Sequence, residues 1–221
     1  MPRGSEALTR ARRDEIVNAC AALYQTMSFR DITLRDIGEK TSFTRTSIYN
    51  YFQTKEEIFL ALLQREYEAW AEDLEALCRA GGRRPPEAFP GGLARTLEGR
   101  GTMLKLLCMN LYDMEANTRL ENLVAFKRAY GASLAAVGRC LEAWFPAMTA
   151  QEIHGFLYAF FPFLFGVYPY TQATEKQQAA MEAAGIEPPG YTVPALVEAL
   201  AEKLLAPWLR QGQRDILIPT K

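Results

Sequence analysis

The chain is poor in the residues that build metal centres and disulfide frameworks. It holds one histidine, His154, so a zinc site is not expected. Its four cysteines, Cys20, Cys78, Cys108 and Cys140, lie far apart with no CxxC pair. Such sparse usage suits a reducing compartment in which thiols act as small core residues. Long apolar runs are also lacking. The most apolar stretch, Gly155 to Val167, is 13 residues long and contains Pro162. A bilayer needs about 20 residues, so this stretch reads as a buried helix. The chain opens Met1-Pro-Arg-Gly-Ser and reaches its first apolar pair at Ile16, which is no secretory leader. A cytosolic location away from any membrane is therefore expected. Nor is there a surplus of one charge: 25 Lys and Arg face 26 Asp and Glu, which excludes a histone-like polycation but not a local basic patch. What is present is ample apolar material, 49% of 221 residues, enough for one or two packed domains.

The dominant hydrophobic period is 3.6, with no run of alternating strand residues, no internal repeat and no low-complexity tract. Between Thr9 and Met27, apolar residues at Ile16, Val17, Cys20, Leu23, Tyr24 and Met27 mark an amphipathic helix. Thr33 with Asp36 forms a capping box for a short second helix, and a third short helix runs from about Arg45 to Tyr51. Thr54-Lys-Glu-Glu57 is another box and opens a long fourth helix with Ile58, Phe59, Leu62, Leu63, Tyr67, Trp70, Leu74 and Leu77 on one stripe. That helix ends near Gly81-Gly82, where glycine tolerates the left-handed conformation. Gly81 to Gly92, with four glycines and three prolines, reads as a linker or a short broken helix. Helices are predicted over Gly101–Tyr112, Thr118–Phe145, Ala150–Tyr168 with a Thr149/Glu152 box, and Val193 to about Arg210. A polar piece, Thr171–Ala184, lies between the last two. The expected class is all-α, an N-terminal three-helix unit joined by a long helix to a C-terminal helical bundle.

Residues 33 to 52 carry the most information. Two short helices joined by a few residues, the second opening with small polar side chains, make a helix-turn-helix. A recognition helix enters the major groove by its first turn, which here is Thr44, Arg45, Thr46 and Ser47. Arg45 is long enough for a bidentate contact to guanine, and Thr46 can touch a thymine methyl. Tyr49 and Tyr51 can reach phosphates, and Lys55 adds charge at a helix N-terminus. Arg10, Arg12 and Arg13 would add phosphate charge. Leu34, Ile37, Ile48 and Phe52 are the apolar residues that would pack the unit. Residues 1 to 60 hold 9 basic and 8 acidic residues, so spacing rather than composition points to DNA.

Residues 10 to 65 resemble the TetR family of one-component bacterial regulators. The resemblance rests on Phe29-Arg-Asp-Ile-Thr-Leu-Arg-Asp-Ile37, Ser42-Phe-Thr-Arg-Thr-Ser-Ile-Tyr-Asn-Tyr-Phe52 and Thr54-Lys-Glu-Glu-Ile-Phe59. By that similarity Thr33, Arg35, Thr44, Arg45, Thr46, Ser47, Tyr49, Tyr51 and Lys55 occupy the DNA-facing positions. The chain departs from the pattern at Thr41 and Ser42, where alanine and glycine are common, and at Thr46, where glycine is frequent. The resemblance implies a double-stranded DNA operator as partner, with no enzymatic activity and no cofactor. It also implies residues 1–54 as the DNA-binding domain and 55–221 as a ligand-binding and dimerisation domain. The function expected is a ligand-responsive regulator, a repressor that binds a palindromic operator as a homodimer and is released by a small molecule.

In such a family the bundle encloses a small-molecule cavity and pairs with a second copy. Met103, Leu107, Phe126, Tyr130, Phe161 and Phe165 could supply apolar walls. Asn110, Tyr130, His154 and Tyr158 could orient the ligand. Few charges lie in these segments, which favours a neutral, apolar or aromatic effector. The nearly all-apolar stretch Gly155 to Val167 must be covered on every side, and Leu196, Val197, Leu200, Leu204 and Leu205 form a second stripe. Those two helices with their twofold mates would make a four-helix interface.

Two other readings stay open. A DNA-binding or partner-binding helical protein without an effector would share the N-terminal pattern. An enzyme would need a site the chain does not spell: there is no GxSxG elbow, no P-loop and no HExxH. Gly99-Arg-Gly101 lacks the preceding strand and third glycine of a dinucleotide site.

Overall fold

A computed structural model describes residues 3–43, 45–109, 111–187 and 190–215, with the side chains of 3–5, 45 and 210–215 left aside. Eleven α-helices and no strand occur among the described residues. They are α1 (Arg3–Tyr24), α2 (Leu34–Glu39), α3 (Arg45–Ile48), α4 (Lys55–Arg79), α5 (Phe89–Thr96), α6 (Gly101–Leu107), α7 (Leu111–Ala116), α8 (Leu120–Trp144), α9 (Ala150–Thr171), α10 (Glu175–Ala183) and α11 (Val193–Asp215). None of them is long and apolar enough to cross a membrane.

The chain packs as two compact units, and the division does not follow chain order. The first holds residues 1–66 together with 110–129; the second holds 67–109 and 130–221. Both α4 and α8 therefore begin in the first unit and end in the second.

In the first unit, α1, α2 and α3 converge on the start of α4. Ile16, Cys20, Ile32, Ile37, Ile48, Phe52, Ile58 and Phe59 are fully buried there. Phe59 receives Tyr24 and Phe29 edge-on, with centroids 5.2 Å and 4.8 Å away, the arrangement that aromatic quadrupoles favour. The expected Thr33/Asp36 box forms in full and ends the loop that enters α2.

In the second unit, α5 lies along α11, α6 against α9, and α9 against α11. Of the two readings of the Gly- and Pro-rich segment, the short broken helix describes it and the linker does not. Pro86–Ala88 makes one 3-10 turn, and α5 follows with Phe89 and Leu93 fully buried. Proline at a helix start costs nothing because its missing N–H had no partner to reach. The two glycines after α4 have different jobs. Gly82 takes the left-handed conformation at φ 68°, whereas at Gly81 a Cβ would sit 2.7 Å from Ala143 Cβ and 2.8 Å from its carbonyl oxygen. The end of α4 thus lies directly against α8.

The helix predicted over Gly101–Tyr112 is two, α6 and α7, with Cys108 as the C-cap of α6. The polar piece holds α10, opened by a Thr174/Gln177 capping box and burying no residue. Helix α9 runs without interruption through Pro162 and Pro169. The thiols divide. Cys20 and Cys140 are buried, and burial pushes each up to about 12; Cys78 is half-buried, and Cys108 is exposed rather than a core residue.

Candidate nucleic-acid interface and ligand site

Helix α3 buries one side and presents the other. Ile48 is fully buried, while Thr46 and Asn50 are exposed and Tyr49 keeps 47% of its surface. Ser47 and Tyr51 are half-buried, the Tyr51 ring resting 6.2 Å from Phe43. Thr44 and the Arg45 side chain lie outside the described residues. Arg35 stands at the surface, paired with Glu39 at 2.9 Å one turn on, a hydrogen bond that raises its pKa further.

Thr33, Lys55 and Arg13 also have internal partners. The Thr33 hydroxyl is used by its own cap, donating to Asp36 at 2.7 Å, and this holds the Asp36 carboxyl below its usual range. The Lys55 ammonium turns inward, donating to the carbonyls of Phe29 at 2.8 Å and Ile32 at 3.1 Å, and lies 4.3 Å from the Phe29 ring centre. Lys55 ties down the loop between α1 and α2. Arg13, expected to offer phosphate charge, is half-buried over the Phe52 ring and donates to the Tyr51 carbonyl at 3.0 Å. Burial first, and Arg119 second, lower its pKa.

Two anchoring groups escaped the sequence reading. Glu15 on α1 accepts from the Ser42 backbone N–H and, at 3.1 Å, from its hydroxyl; the Ser42 bonds hold its carboxyl below the usual range. The other is Glu57, the fourth residue of the Thr54 box. Its N–H reaches the Thr54 hydroxyl at 3.2 Å as expected. Its carboxylate, however, accepts from Gln53 N–H at 2.8 Å and from Arg119 by backbone (3.1 Å), Nε (2.7 Å) and Nη2 (2.9 Å). Burial alone would raise this carboxyl, but those donors bring it down to about 2. Only the box pattern hinted at Glu57, and nothing local hinted at Arg119, which lies 62 residues away.

In the second unit four aromatic rings close on themselves. Tyr67 faces Trp70 at 6.3 Å, Trp70 faces Phe161 at 5.7 Å, Phe161 faces Tyr130 at 5.7 Å, and Tyr130 returns to Tyr67 at 5.6 Å. Trp70 is fixed by its indole N–H, which donates to the Thr96 hydroxyl at 2.9 Å. Burial raises the Tyr67 phenol. Of the expected ligand residues, Tyr130 and Phe161 belong to this quartet. Met103 and Leu107 are buried on α6, and Phe165 is half-buried on α9. Phe126 is buried in the first unit. His154 and Tyr158 do not turn inward: both are exposed on α9, Tyr158 at 70%, with their rings 4.3 Å apart. Asn110 lies outside the described residues. Tyr67 and Trp70 were legible as core stripe residues, one turn apart, but not as partners of Tyr130 and Phe161.

Two family models divide the chain between them. Residues 16–62 match that of bacterial regulatory proteins of the tetR family, and residues 64–206 match a tetracyclin repressor-like C-terminal domain. The chain belongs to the TetR family. No curated protein sequence matches it significantly. Among solved structures, a TetR-family regulator from Mesorhizobium loti has 15% identity over 90% of this chain and 96% of its own, with a TM-score of 0.59. The fatty acid degradation regulator FadR of Bacillus halodurans has 14% identity over 88% and 94%, TM-score 0.57. Thermus thermophilus FadR, a repressor solved with lauroyl-CoA, has 18% identity over 95% and 97%, TM-score 0.55. These likenesses concern the fold. As a TetR-family regulator the chain pairs a helix-turn-helix with a C-terminal domain of the family's ligand-binding type.

Proposed function

We propose that the chain binds a palindromic operator as a homodimer and leaves it when a small, mainly apolar or aromatic effector enters the C-terminal domain. The observation that carries the DNA reading is the division of residues 46–50, α3 and the turn that follows it, with Ile48 buried and Thr46, Tyr49 and Asn50 exposed. On this reading Arg35, Thr44, Arg45, Thr46, Ser47 and Tyr49 meet the duplex, Arg45 reading a base, while Thr33, Tyr51 and Lys55 hold the unit in shape. The chain acts by binding, in the cytosol, without chemistry of its own.

On this reading the effector seats at the ring quartet. A planar apolar molecule that slips among Tyr67, Trp70, Tyr130 and Phe161 gains stacking contacts on several sides. On this reading Met103, Leu107 and Phe165, expected from the sequence as apolar walls, line the same site. His154 and Tyr158 belong instead to the pairing face. On α9 the exposed residues after Glu152 include Gly155, Tyr158, Ala159, Pro162, Pro169 and Tyr170, none of them charged. A stripe of this kind, on a helix that packs against α11, suits a second copy.

Selection of bound sequences from a random duplex pool at moderate salt tests the proposal, with Arg45→Ala as control. A palindrome recovered by the native chain and lost by the variant is expected. Salt-sensitive binding with no enriched sequence would leave only phosphate attraction and overturn it. With the operator in hand, small aromatic compounds and lauroyl-CoA are screened for release, read together with quenching of Trp70 fluorescence in a chain whose other tryptophans, Trp144 and Trp208, are replaced by Phe.

A further inference from the structure

We infer that Arg119 is a positioning residue for DNA reading, and that the DNA-binding unit is completed by sequence belonging to the C-terminal domain. The inference rests on the operator-binding reading above but concerns a different region of the molecule. Arg119 lies well inside the range matched by the C-terminal family model, yet it packs in the first unit.

Its guanidinium does two things there. Nε and Nη2 grip the two oxygens of the buried Glu57 carboxylate, and Nη2 also donates to the Tyr51 carbonyl at 3.1 Å. That carbonyl also takes the Arg13 bond. Tyr51 is the third residue beyond α3, and its own N–H bonds back to the Ile48 carbonyl at 2.8 Å. Neighbouring contacts repeat the theme: Thr54 Oγ1 donates to the Asn117 carbonyl at 3.1 Å, and Arg13 reaches Asn122 Oδ1 at 3.3 Å. The turn between α3 and α4 is therefore held from residues 117 to 122.

Nothing about helix propensity requires this arrangement. An anchor made of a guanidinium fork fixes direction as well as distance, because both partners are planar. Losing it frees the exit of a recognition helix only four residues long, whose dihedrals its own hydrogen bonds hold weakly. Helix α8 begins one residue after this anchor.

The test uses the full-length chain and the operator obtained by selection. Affinity for that operator and for a scrambled duplex of equal length is measured at fixed salt for the native chain, Arg119→Ala, Arg119→Lys and Glu57→Gln, well below each melting temperature. The ratio of the two affinities is expected to fall roughly tenfold or more in Arg119→Ala and Glu57→Gln and to recover partially in Arg119→Lys, which keeps the charge and N–H donors on one nitrogen but not the planar fork. A purely structural role would lower the melting temperature and leave the ratio within about twofold of native, and that result overturns the inference. If Arg119→Ala does not fold, Glu57→Gln, nearly isosteric with the native residue, decides by the same criterion. Failure to select any operator with the native chain would strike the regulator reading instead, so the two failures are distinguishable.

Discussion

Glu15 holds Ser42 by two hydrogen bonds, one oxygen of its carboxylate accepting from the backbone N–H and the other from the hydroxyl. This places an α1 carboxylate at the turn between α2 and α3, on the residue where the family resemblance implies glycine. A glycine would offer the N–H alone. The consequence is that Glu15→Ala should weaken operator binding while leaving helical content intact, and Ser42→Gly should weaken it less, since the backbone bond survives. Fluorescence anisotropy with the selected operator, beside far-ultraviolet circular dichroism, checks this. Equal effects of the two substitutions would deny the backbone bond its role.

Acid sensitivity follows from Glu57. Its carboxyl is held at about 2 in the folded chain, against an ordinary 4.5. The unfolded chain therefore binds this proton more readily, and protons favour unfolding. The contribution is fully present above pH ~4.5 and is lost as pH falls towards ~2, amounting to roughly 3 kcal/mol. Glu57→Gln should show lower stability at pH 7 and a flatter stability curve through that window. Urea unfolding at a series of pH values measures both.

The two glycines after α4 should fail differently. Gly81→Ala places a methyl group against the Ala143 main chain and must push α4 and α8 away from each other, costing about 1–3 kcal/mol. Gly82→Ala meets no atom within 4 Å and costs only the left-handed backbone, about 1 kcal/mol. Thermal unfolding of the pair ranks them, with Gly81→Ala the lower.

Lys55→Met should behave as a stability variant rather than an electrostatic one. Removing the ammonium strips two carbonyls of their donor and one ring of its cation, worth about 1–2 kcal/mol. The dependence of operator affinity on salt should change by less than about one counterion. A full unit of lost slope would return Lys55 to the phosphate backbone.

Tyr158→Glu puts charge in the middle of the uncharged face of α9. Because Tyr158 is exposed within one chain, the substitution should spare the fold and break the pairing. Sedimentation equilibrium is expected to give the mass of a single chain for the variant and twice that for the native protein.

How much of this was legible beforehand depended on range. The caps at Thr33 and Thr149 were readable because each is closed by a residue three positions away. The α3 face was readable because Ile48 and Phe52 sit one turn apart. Helix α5 was hidden by its own punctuation, since Pro90, Gly91 and Gly92 look like a break, while the Phe89 and Leu93 spacing that makes it a helix spans a single turn. His154 and Tyr158 were misjudged because a helix apolar nearly all round does not reveal which side turns inward. Arg119 could not be found at all, because its partners lie 62 and 68 residues away and its immediate surroundings are polar and ordinary.

The order in which a ribosome delivers this chain gives the Arg119 clamp one more meaning. The reading helices emerge first, but Glu57 waits 62 residues for the group that neutralises it. Until then the Glu57 carboxylate lacks the bidentate guanidinium that grips both its oxygens, and the Tyr51 carbonyl has Arg13 as its one side-chain donor among these bonds. A growing chain, or one cut short before residue 119, carries every residue proposed to face DNA and still lacks the Arg119 clamp. On the proposed reading, operator recognition is then deferred to chains long enough to contain the start of the C-terminal domain.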